Sequence, residues 1–191
     1  MSGIKDREEL KRVERIDRTL KYRGSILEIY SDTMKLPDGR TEYFDYIKHV
    51  GAAAVIPVLD DGRILMVRQY RNALDAYTLE IPAGALDSPD EPTHSCAWRE
   101  LEEETGYYAD KSDVNFLFSM YSTVAFCNEK IDIYAARNLK KTEQHLDDDE
   151  YIDVHAYTVD ELKQMILDGR IVDGKTIAGL MVLFDVMSTD R

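Results

Sequence analysis

The chain has 191 residues, of which 44% are hydrophobic and 32% are charged, so it is long and apolar enough to bury the core of a folded domain. The formal net charge of −13 argues against a nucleic-acid backbone or an anionic membrane surface as the main partner, because either would be repelled. A negatively charged substrate would need a cation between itself and the protein.

Cysteine content and hydropathy predict a cytoplasmic protein. Cys96 and Cys127 have no CxxC spacing and are too few for a disulfide framework, which indicates a reducing compartment. The N-terminal segment is too charged for a signal peptide. The apolar run at 177–187 is shorter than a membrane span and includes Asp185, so it predicts a core helix.

Residues 1–50 are predicted to form an N-terminal domain. Residues 5–16 are charged and lack an apolar face, which predicts a solvated helix or a loose arm. Residues 19–49 contain the turn "PDGR" between two β-like stretches, which is typical of an antiparallel β hairpin centred on Asp38 and Gly39. Because a lone hairpin is only marginally stable, it must dock on the core or on a second subunit.

Residues 51–191 are predicted to form a second domain. It begins with two buried strands at 52–59 and 64–71, joined as a hairpin by the turn "DDGR". A short strand at 77–85 breaks at Pro82 and Gly84.

The rest of this domain alternates helices and strands. A helix from about Thr93 to Thr105 is ended by Gly106. Further strands are predicted at 114–124, 130–139 and 151–159, and closing helices near 159–168 and 175–187. Helices placed singly among antiparallel strands favour an α+β fold over a doubly wound parallel sheet.

The stretch "WRELEEETGY", residues 98–107, places four glutamates in the last turns of the predicted helix. The carbonyl end of a helix already carries partial negative charge, so acidic side chains are unfavourable there. At about 100 degrees per residue, Glu100 and Glu104 share one face, Glu103 lies at its edge and Glu102 points away.

Two interpretations of this acidic face are open. In the first it is solvated and Arg99 pairs with Glu103, although arginine N-terminal to glutamate is the less favourable order. In the second the carboxylates are hard oxygen ligands for divalent cations, Arg99 fixes the rotamer of one, and the cation removes their repulsion.

The segment "EPTHSCAWRELEEETGY" resembles the Nudix box. The matching positions are Glu91, Arg99, Glu100, Leu101, Glu103, Glu104, Gly106 and Tyr107. Gly84, the opening glycine, lies one residue farther from Glu91 than in the usual box. Outside it, "VRQYRNALDAYTLEIPAG", "LPDGR", "HVGAAAV" and "DDDEYIDV" are similar to the ADP-ribose pyrophosphatase branch of the Nudix hydrolase superfamily, from about Arg18 to the final helix.

This resemblance implies a Nudix α/β/α sandwich with a mixed sheet, preceded by an N-terminal antiparallel β hairpin subdomain. It also implies dependence on Mg²⁺, with Mn²⁺ as an alternative cation. The expected assembly is a homodimer in which the N-terminal hairpin packs across the partner, so that residues 1–50 serve dimerisation and contact the substrate base.

The resemblance also implies roles for residues in the box. Glu100, Glu104 and the backbone carbonyl of Ala83 match metal ligands. Glu103 matches a glutamate that shares the metal or holds the arginine, and Arg99 and Glu91 match the orienting pair.

Four substrate contacts are implied outside the box. Arg71 and Glu80 match substrate-contacting positions, while Phe44 and Asp45 lie where relatives have a base-stacking residue and an acidic base contact. The alternatives are a surface ion pair for Arg71, a strand-end charge for Glu80 and hairpin core for Phe44.

A general base is expected in the acidic loop after the box. Glu150 is the best match and Asp148 the second, and a solvated acidic loop is the alternative.

The expected reaction is Mg²⁺-dependent hydrolysis of the diphosphate linkage in a nucleoside diphosphate sugar, with ADP-ribose giving AMP and ribose 5-phosphate. Val124 and Ala125 replace the proline and glycine that relatives have in a sugar-pocket loop, so GDP-mannose or another nucleotide sugar is an alternative. A non-catalytic nucleotide-binding sensor is the second alternative, and the intact Glu100, Glu103 and Glu104 argue against it.

Overall fold

The computed structural model describes residues 12–25, 27–146 and 150–189. The chain divides into two compact units. The first contains Met1–His49 with Thr123–Asn128, and the second contains Val50–Ser122 with Glu129–Arg191.

The first unit is built on a three-stranded antiparallel sheet in the order β1-β2-β3. Its strands are β1 (Glu14–Arg23), β2 (Glu28–Lys35) and β3 (Thr41–Lys48). The predicted hairpin is confirmed as β2 and β3, and Gly39 in its turn has a φ of 91°, which favours glycine.

The strand β1 corrects the prediction for residues 5–16. Residues 14–16 belong to β1 rather than to a helix or an arm, and residues 5–11 lie outside the described part of the chain. Charged residues are acceptable in this strand because it is an edge strand whose side chains are mostly exposed.

The segment Thr123–Asn128 belongs to the first unit although it is distant in sequence. The Ile47 amide donates to the Phe126 carbonyl at 2.7 Å. The Asn128 side chain accepts from the His49 amide at 2.8 Å and donates to the His49 carbonyl at 2.9 Å. These bonds attach the segment to the end of β3.

The second unit contains the remaining strands, arranged in three sheets. The largest has the order β7-β4-β10-β9, a second has β12-β5-β6, and β11 pairs with β8. The pair β4 and β10 is parallel and the other pairs are antiparallel, which confirms an α+β fold with a mixed sheet. The strands are β4 (Ala52–Pro57), β5 (Ile64–Arg71), β6 (Ala76–Glu80), β7 (Ala83–Ala85), β8 (Tyr107–Tyr108), β9 (Val114–Tyr121), β10 (Lys130–Ala136), β11 (Lys140–Lys141) and β12 (Asp153–Tyr157).

The strands β4 and β5 form where predicted but not as a hairpin. A single bridge joins Val58 to Ile64, and the two strands then enter different sheets. All residues of β4 are buried, and its two edges are taken by β7 and β10, so β5 pairs with β6 and β12 instead.

The buried strand β4 separates two helical layers. The helices are α1 (Thr93–Thr105), α2 (Val159–Leu167) and α3 (Gly174–Thr189). Ala53 and Val55 share a core with Leu101 of α1, while Ala54 and Ile56, on the opposite face, share the other core with α2 and α3. This arrangement is the predicted α/β/α sandwich.

The apolar C-terminal run forms α3, as predicted. A Cβ on Gly179 would lie 3.3 Å from side-chain atoms of Ile56 and Ile81, so a glycine lets the helix approach the sheet closely. None of the helices in the described part of the chain is long and apolar enough to cross a membrane.

Candidate active site

The acidic helix α1 has both of its predicted ends. The Thr93 hydroxyl at its start donates to Asp132 at 2.8 Å. Gly106 ends it in the left-handed conformation, with a φ of 67°, and donates to the Glu102 carbonyl at 3.0 Å.

The last carbonyls of α1 are satisfied by neutral donors. The His145 amide donates to the Glu103 carbonyl at 3.0 Å, and Nε2 of Gln144 donates to the Glu104 carbonyl at 2.6 Å. The last turn contains no basic residue. The helix end therefore keeps its negative potential beside the glutamate side chains.

Glu104 is the most deeply buried of these glutamates, with 3% of its surface exposed. Its Oε2 accepts from the Ala83 amide at 3.0 Å, so the side chain lies beside the predicted carbonyl ligand. Burial and then the charge of Glu100 raise the pKa of Glu104, which the Ala83 bond only partly opposes.

The Glu100 carboxylate packs against Gly84. An ideal Cβ on Gly84 would lie 1.9 Å from Oε1 of Glu100, so only glycine leaves room for this side chain. Burial raises the pKa of Glu100 to about 7, with Arg99 opposing the rise and Glu103 adding to it.

Arg99 holds the acidic face together. Its Nη1 donates at 2.8 Å to Oε1 of Glu100 and to Oε2 of Glu103, and its Nε lies 3.6 Å from Oε1 of Glu91. Burial lowers the pKa of Arg99, but the hydrogen bond to Glu103 and the charge of Glu100 outweigh burial and raise it. Glu102 takes no part in these contacts and is half-buried.

The donor set at this helix fits a hard divalent cation. Glu100 and Glu104 are buried carboxylates, burial raises the pKa of both, and the charge of Glu100 raises the pKa of Glu104 further. Among the described residues, no group of three or more His, Cys, Asp or Glu side chains is arranged to bind a metal ion without further ligands. Two carboxylates with a main-chain carbonyl suit Mg²⁺, which keeps several waters and substrate oxygens.

A second charged cluster surrounds Glu80, which is 2% exposed. Arg71 donates to it through Nε at 2.8 Å and Nη2 at 2.7 Å, Thr78 donates at 2.6 Å, and Lys175 also bonds it. Burial alone would raise the pKa of Glu80, but Arg71 and Lys175 lower it to about 2. Glu80 is therefore ionised, and both of its carboxylate oxygens accept hydrogen bonds from protein donors.

Lys175 was not predicted as a site residue. Its Nζ bonds Glu80 and lies 3.0 Å from Asp173, and its charge opposes the raised pKa of Glu104. The sequence carries one signal for it, because a lysine in the first turn of the apolar helix α3 opposes the helix dipole. This residue brings a second cation, besides Arg71, to the cluster.

Phe44 and Asp45 lie in the first unit, on β3. They line a cavity of about 350 Å³ together with Asp32. Val124 and Ala125, the residues that replace proline and glycine, line the same cavity. The unusual loop is therefore next to the predicted base contacts.

Glu150 and Asp148 are the two candidate bases. Glu150 lies close enough to the acidic helix that its charge raises the pKa values of both Glu100 and Glu104. Asp148 lies outside the described residues.

Comparisons with known proteins agree with this geometry. The NUDIX domain model matches residues 48–180. The chain is 38% identical to a methanol dehydrogenase activator from Bacillus methanolicus and 34% identical to an ADP-ribose pyrophosphatase from Bacillus subtilis, each over 85% of this chain and 87% of the relative. A GDP-mannose pyrophosphatase from Yersinia enterocolitica is 36% identical over 69% of this chain and 72% of the relative.

A solved structure, the crystal structure of an ADP compounds hydrolase, has the same fold. It superposes with a TM-score of 0.84 at 19% identity and covers 96% of this chain and 98% of its own. Nudix hydrolases generally use a divalent cation, and the donor set here fits one. The family match, the pyrophosphatase relatives and the acidic helix together establish that this chain belongs to the NUDIX family and is a Nudix hydrolase.

Proposed function

We propose that the protein hydrolyses the diphosphate linkage of a nucleoside diphosphate sugar in the presence of Mg²⁺, and that ADP-ribose is its substrate. The observation that carries this proposal is the pair of buried carboxylates on α1, with Glu100 packed against Gly84 and Glu104 bonded by the Ala83 amide. A cation bound by this pair would offset the negative charge of both carboxylates and would favour the binding of an anionic substrate to a protein of net charge −13.

The reaction adds one water across the diphosphate. The water oxygen bonds to one phosphorus, the bond from that phosphorus to the bridging oxygen breaks, and AMP and ribose 5-phosphate leave. The bound cation supplies charge neutralisation for the diphosphate and lowers the pKa of the water. Glu150 accepts the proton from the water as general base, with Asp148 as the second candidate.

The remaining box residues hold the ligands in place. Glu100, Glu104 and the carbonyl of Ala83 are the proposed ligands, and Glu103 shares the cation or anchors Arg99. The 2.8 Å bonds from Arg99 fix the rotamers of Glu100 and Glu103. Glu91 orients Arg99 from its other side, at 3.6 Å.

Four residues outside the box are the proposed substrate contacts. Arg71 contacts the anionic substrate, and Glu80 acts through Arg71 and Lys175, since its oxygens are already bonded by protein donors. Phe44 stacks on the base and Asp45 accepts from it, which the cavity beside them supports.

We also propose a cytoplasmic homodimer. The N-terminal sheet leaves Ile16, Leu20, Tyr22 and Tyr43 exposed, by 53%, 40%, 59% and 74%. Tyr22 and Tyr43 lie opposite Ile29 and Thr33 of β2, on one face of the sheet, and exposed apolar side chains that share a face are typical of an interaction surface. A second copy of the chain would bury them.

GDP-mannose is the second candidate substrate, and the Yersinia relative at 36% identity favours it. The deciding experiment measures monophosphate release with Mg²⁺ from ADP-ribose, GDP-mannose, NADH, ADP-glucose and diadenosine polyphosphates. We expect the highest kcat/KM among these compounds for ADP-ribose. A higher value for GDP-mannose would change the substrate assignment, and no turnover of any compound would favour the nucleotide-binding sensor.

A further inference from the structure

The side chain of Gln144 connects two parts of the second unit that are distant in sequence. Its Nε2 donates to the Glu104 carbonyl at 2.6 Å and to the Ile152 carbonyl at 3.3 Å. An amide nitrogen has two hydrogens, so both bonds can exist together. One side chain thus joins the end of α1 to the residue that precedes β12.

The main chain around Gln144 is fixed to the same helix end. The Thr142 amide donates to the Gly106 carbonyl at 2.8 Å, and the His145 amide donates to the Glu103 carbonyl at 3.0 Å. A Cβ on Gly106 would lie 3.1 Å from the Gln144 nitrogen, so this contact is close. Residues 142–145 are therefore attached to the end of α1 by these hydrogen bonds.

The far end of the connection is equally well placed. Ile152 is buried, with 8% of its surface exposed, and β12 begins at the next residue, Asp153, paired with Arg68 of β5. Glu150 lies two residues before Ile152. The bond from Gln144 to Ile152 therefore anchors the main chain two residues after Glu150.

We propose that Gln144 is a positioning residue for hydrolysis, because by bonding the carbonyls of Glu104 and Ile152 it sets the separation between Glu150 and the carboxylates of α1. This inference rests on the proposed function, in which Glu150 is the general base. In this role Gln144 acts through Glu150 and not through a contact of its own with the substrate.

The chemistry of the side chain agrees with this role. A lysine or arginine would also satisfy a helix carbonyl, but its charge would pair with Glu100 or Glu104 and compete with a cation. An apolar side chain would remove both of these hydrogen bonds. A neutral amide satisfies both carbonyls and leaves the acidic face available.

The test replaces Gln144 by methionine, which has similar length and no donor. We expect kcat for ADP-ribose to fall by on the order of 10- to 100-fold, as for a base displaced by about 1 Å. KM and the Mg²⁺ affinity should stay within about twofold of the wild type, since ground-state binding is not affected. The matched control is Gln164→Met, at an exposed position on α2, which should retain wild-type kcat.

A double-mutant cycle with Glu150→Gln separates positioning from general destabilisation. If Gln144 acts through Glu150, adding Gln144→Met to Glu150→Gln lowers kcat by less than about twofold. If the reduction of kcat in the double variant equals the product of the reductions in the two single variants, Gln144 does not act through Glu150 and the inference is overturned. Should Gln144→Met fail to fold, Gln144→Asn, which keeps the amide but cannot span both carbonyls, takes its place in the cycle.

Hydrogen exchange of the His145 amide gives a readout that does not depend on turnover. Gln144→Met should reduce its protection, because the bond to the Glu103 carbonyl loses its neighbour. A wild-type protein without hydrolase activity would overturn the proposed function and this inference with it. An active wild type whose Gln144→Met variant keeps its kcat would overturn this inference alone.

Discussion

Gly84 and Glu100 are so close that a Cβ on the glycine would lie 1.9 Å from Oε1 of the glutamate. The Glu100 carboxylate therefore occupies its position only because residue 84 has no side chain. Its neighbour Ala83 donates to Glu104 at 3.0 Å, so the strand β7 contacts both proposed metal ligands.

Gly84→Ala should displace the Glu100 carboxylate. We expect Mg²⁺ affinity and kcat to fall by about 10-fold or more, as for a misplaced ligand, while the circular dichroism spectrum stays that of the folded protein. Isothermal titration with Mg²⁺ measures the affinity. Gly174→Ala is the control, because a Cβ there meets no atom within 4 Å, and equal Mg²⁺ affinities in the two variants would contradict the assignment of Glu100 as a ligand.

The stability of the cation-free protein should depend on Glu100 between pH 4.5 and pH 7. Burial raises the pKa of Glu100 from 4.5 to about 7, so the folded state holds this proton more tightly than the unfolded state. The resulting stabilisation is complete below pH 4.5 and is lost as the pH rises towards 7.

Urea unfolding in the presence of EDTA measures this dependence. Glu100→Gln cannot ionise, so its free energy of unfolding should fall less than that of the wild type across this window. Parallel pH profiles for the two proteins would show that Glu100 is not the group that titrates.

Lys175→Met should destabilise the fold by weakening the cluster around Glu80. We expect a loss of roughly 2 to 3 kcal/mol at pH 7, as for a hydrogen bond to a buried charged group. The pKa of Glu80 is lowered to about 2, so the stabilisation from this group is present above about pH 4.5 and is lost as the pH falls towards 2.

The difference between Lys175→Met and the wild type should therefore shrink in acid. Chemical denaturation at pH 7 and pH 3 measures it. Lys175→Met should lower the free energy of unfolding by less in the Glu80→Gln background than in the wild type. An equal loss in both backgrounds would mean that Lys175 stabilises the fold through other contacts.

The proposed dimer predicts that Tyr43→Glu weakens self-association. Tyr43 is 74% exposed on β3, and a buried charge at an interface is unfavourable. Light scattering across a dilution series should show a dimer for the wild type and a shift towards monomer for the variant. Leu167→Glu, at an 81% exposed position on α2, is the control and should stay dimeric; a monomeric wild type would refute the dimer.

Local signals explain what the sequence predicted well. The helix α1 has both predicted ends because Gly106 provides the left-handed residue that ends it. The hairpin of β2 and β3 forms because its turn and its pairing lie close together in sequence. The pairing of Glu100 with Glu104, and of Arg99 with Glu103, follows from helical periodicity.

Long-range pairing explains what the sequence did not predict. The strand β4 takes its parallel partner from residues 131–136, far along the chain, and no local pattern identifies that partner over β5. Lys175 meets Glu80 across 95 residues, and Gln144 reaches Glu104 across 40 residues. A polar side chain that bonds a distant main-chain carbonyl has no periodic signature.

The most direct test of the active site is Mg²⁺-dependent release of AMP from ADP-ribose by the Glu104→Gln variant. Glutamine has the same shape and can still accept from the Ala83 amide, so the fold should be retained. We expect the variant to lose its turnover, because a neutral amide replaces a buried carboxylate ligand. A folded variant that releases AMP at the wild-type rate would contradict the assignment of this helix as the metal site.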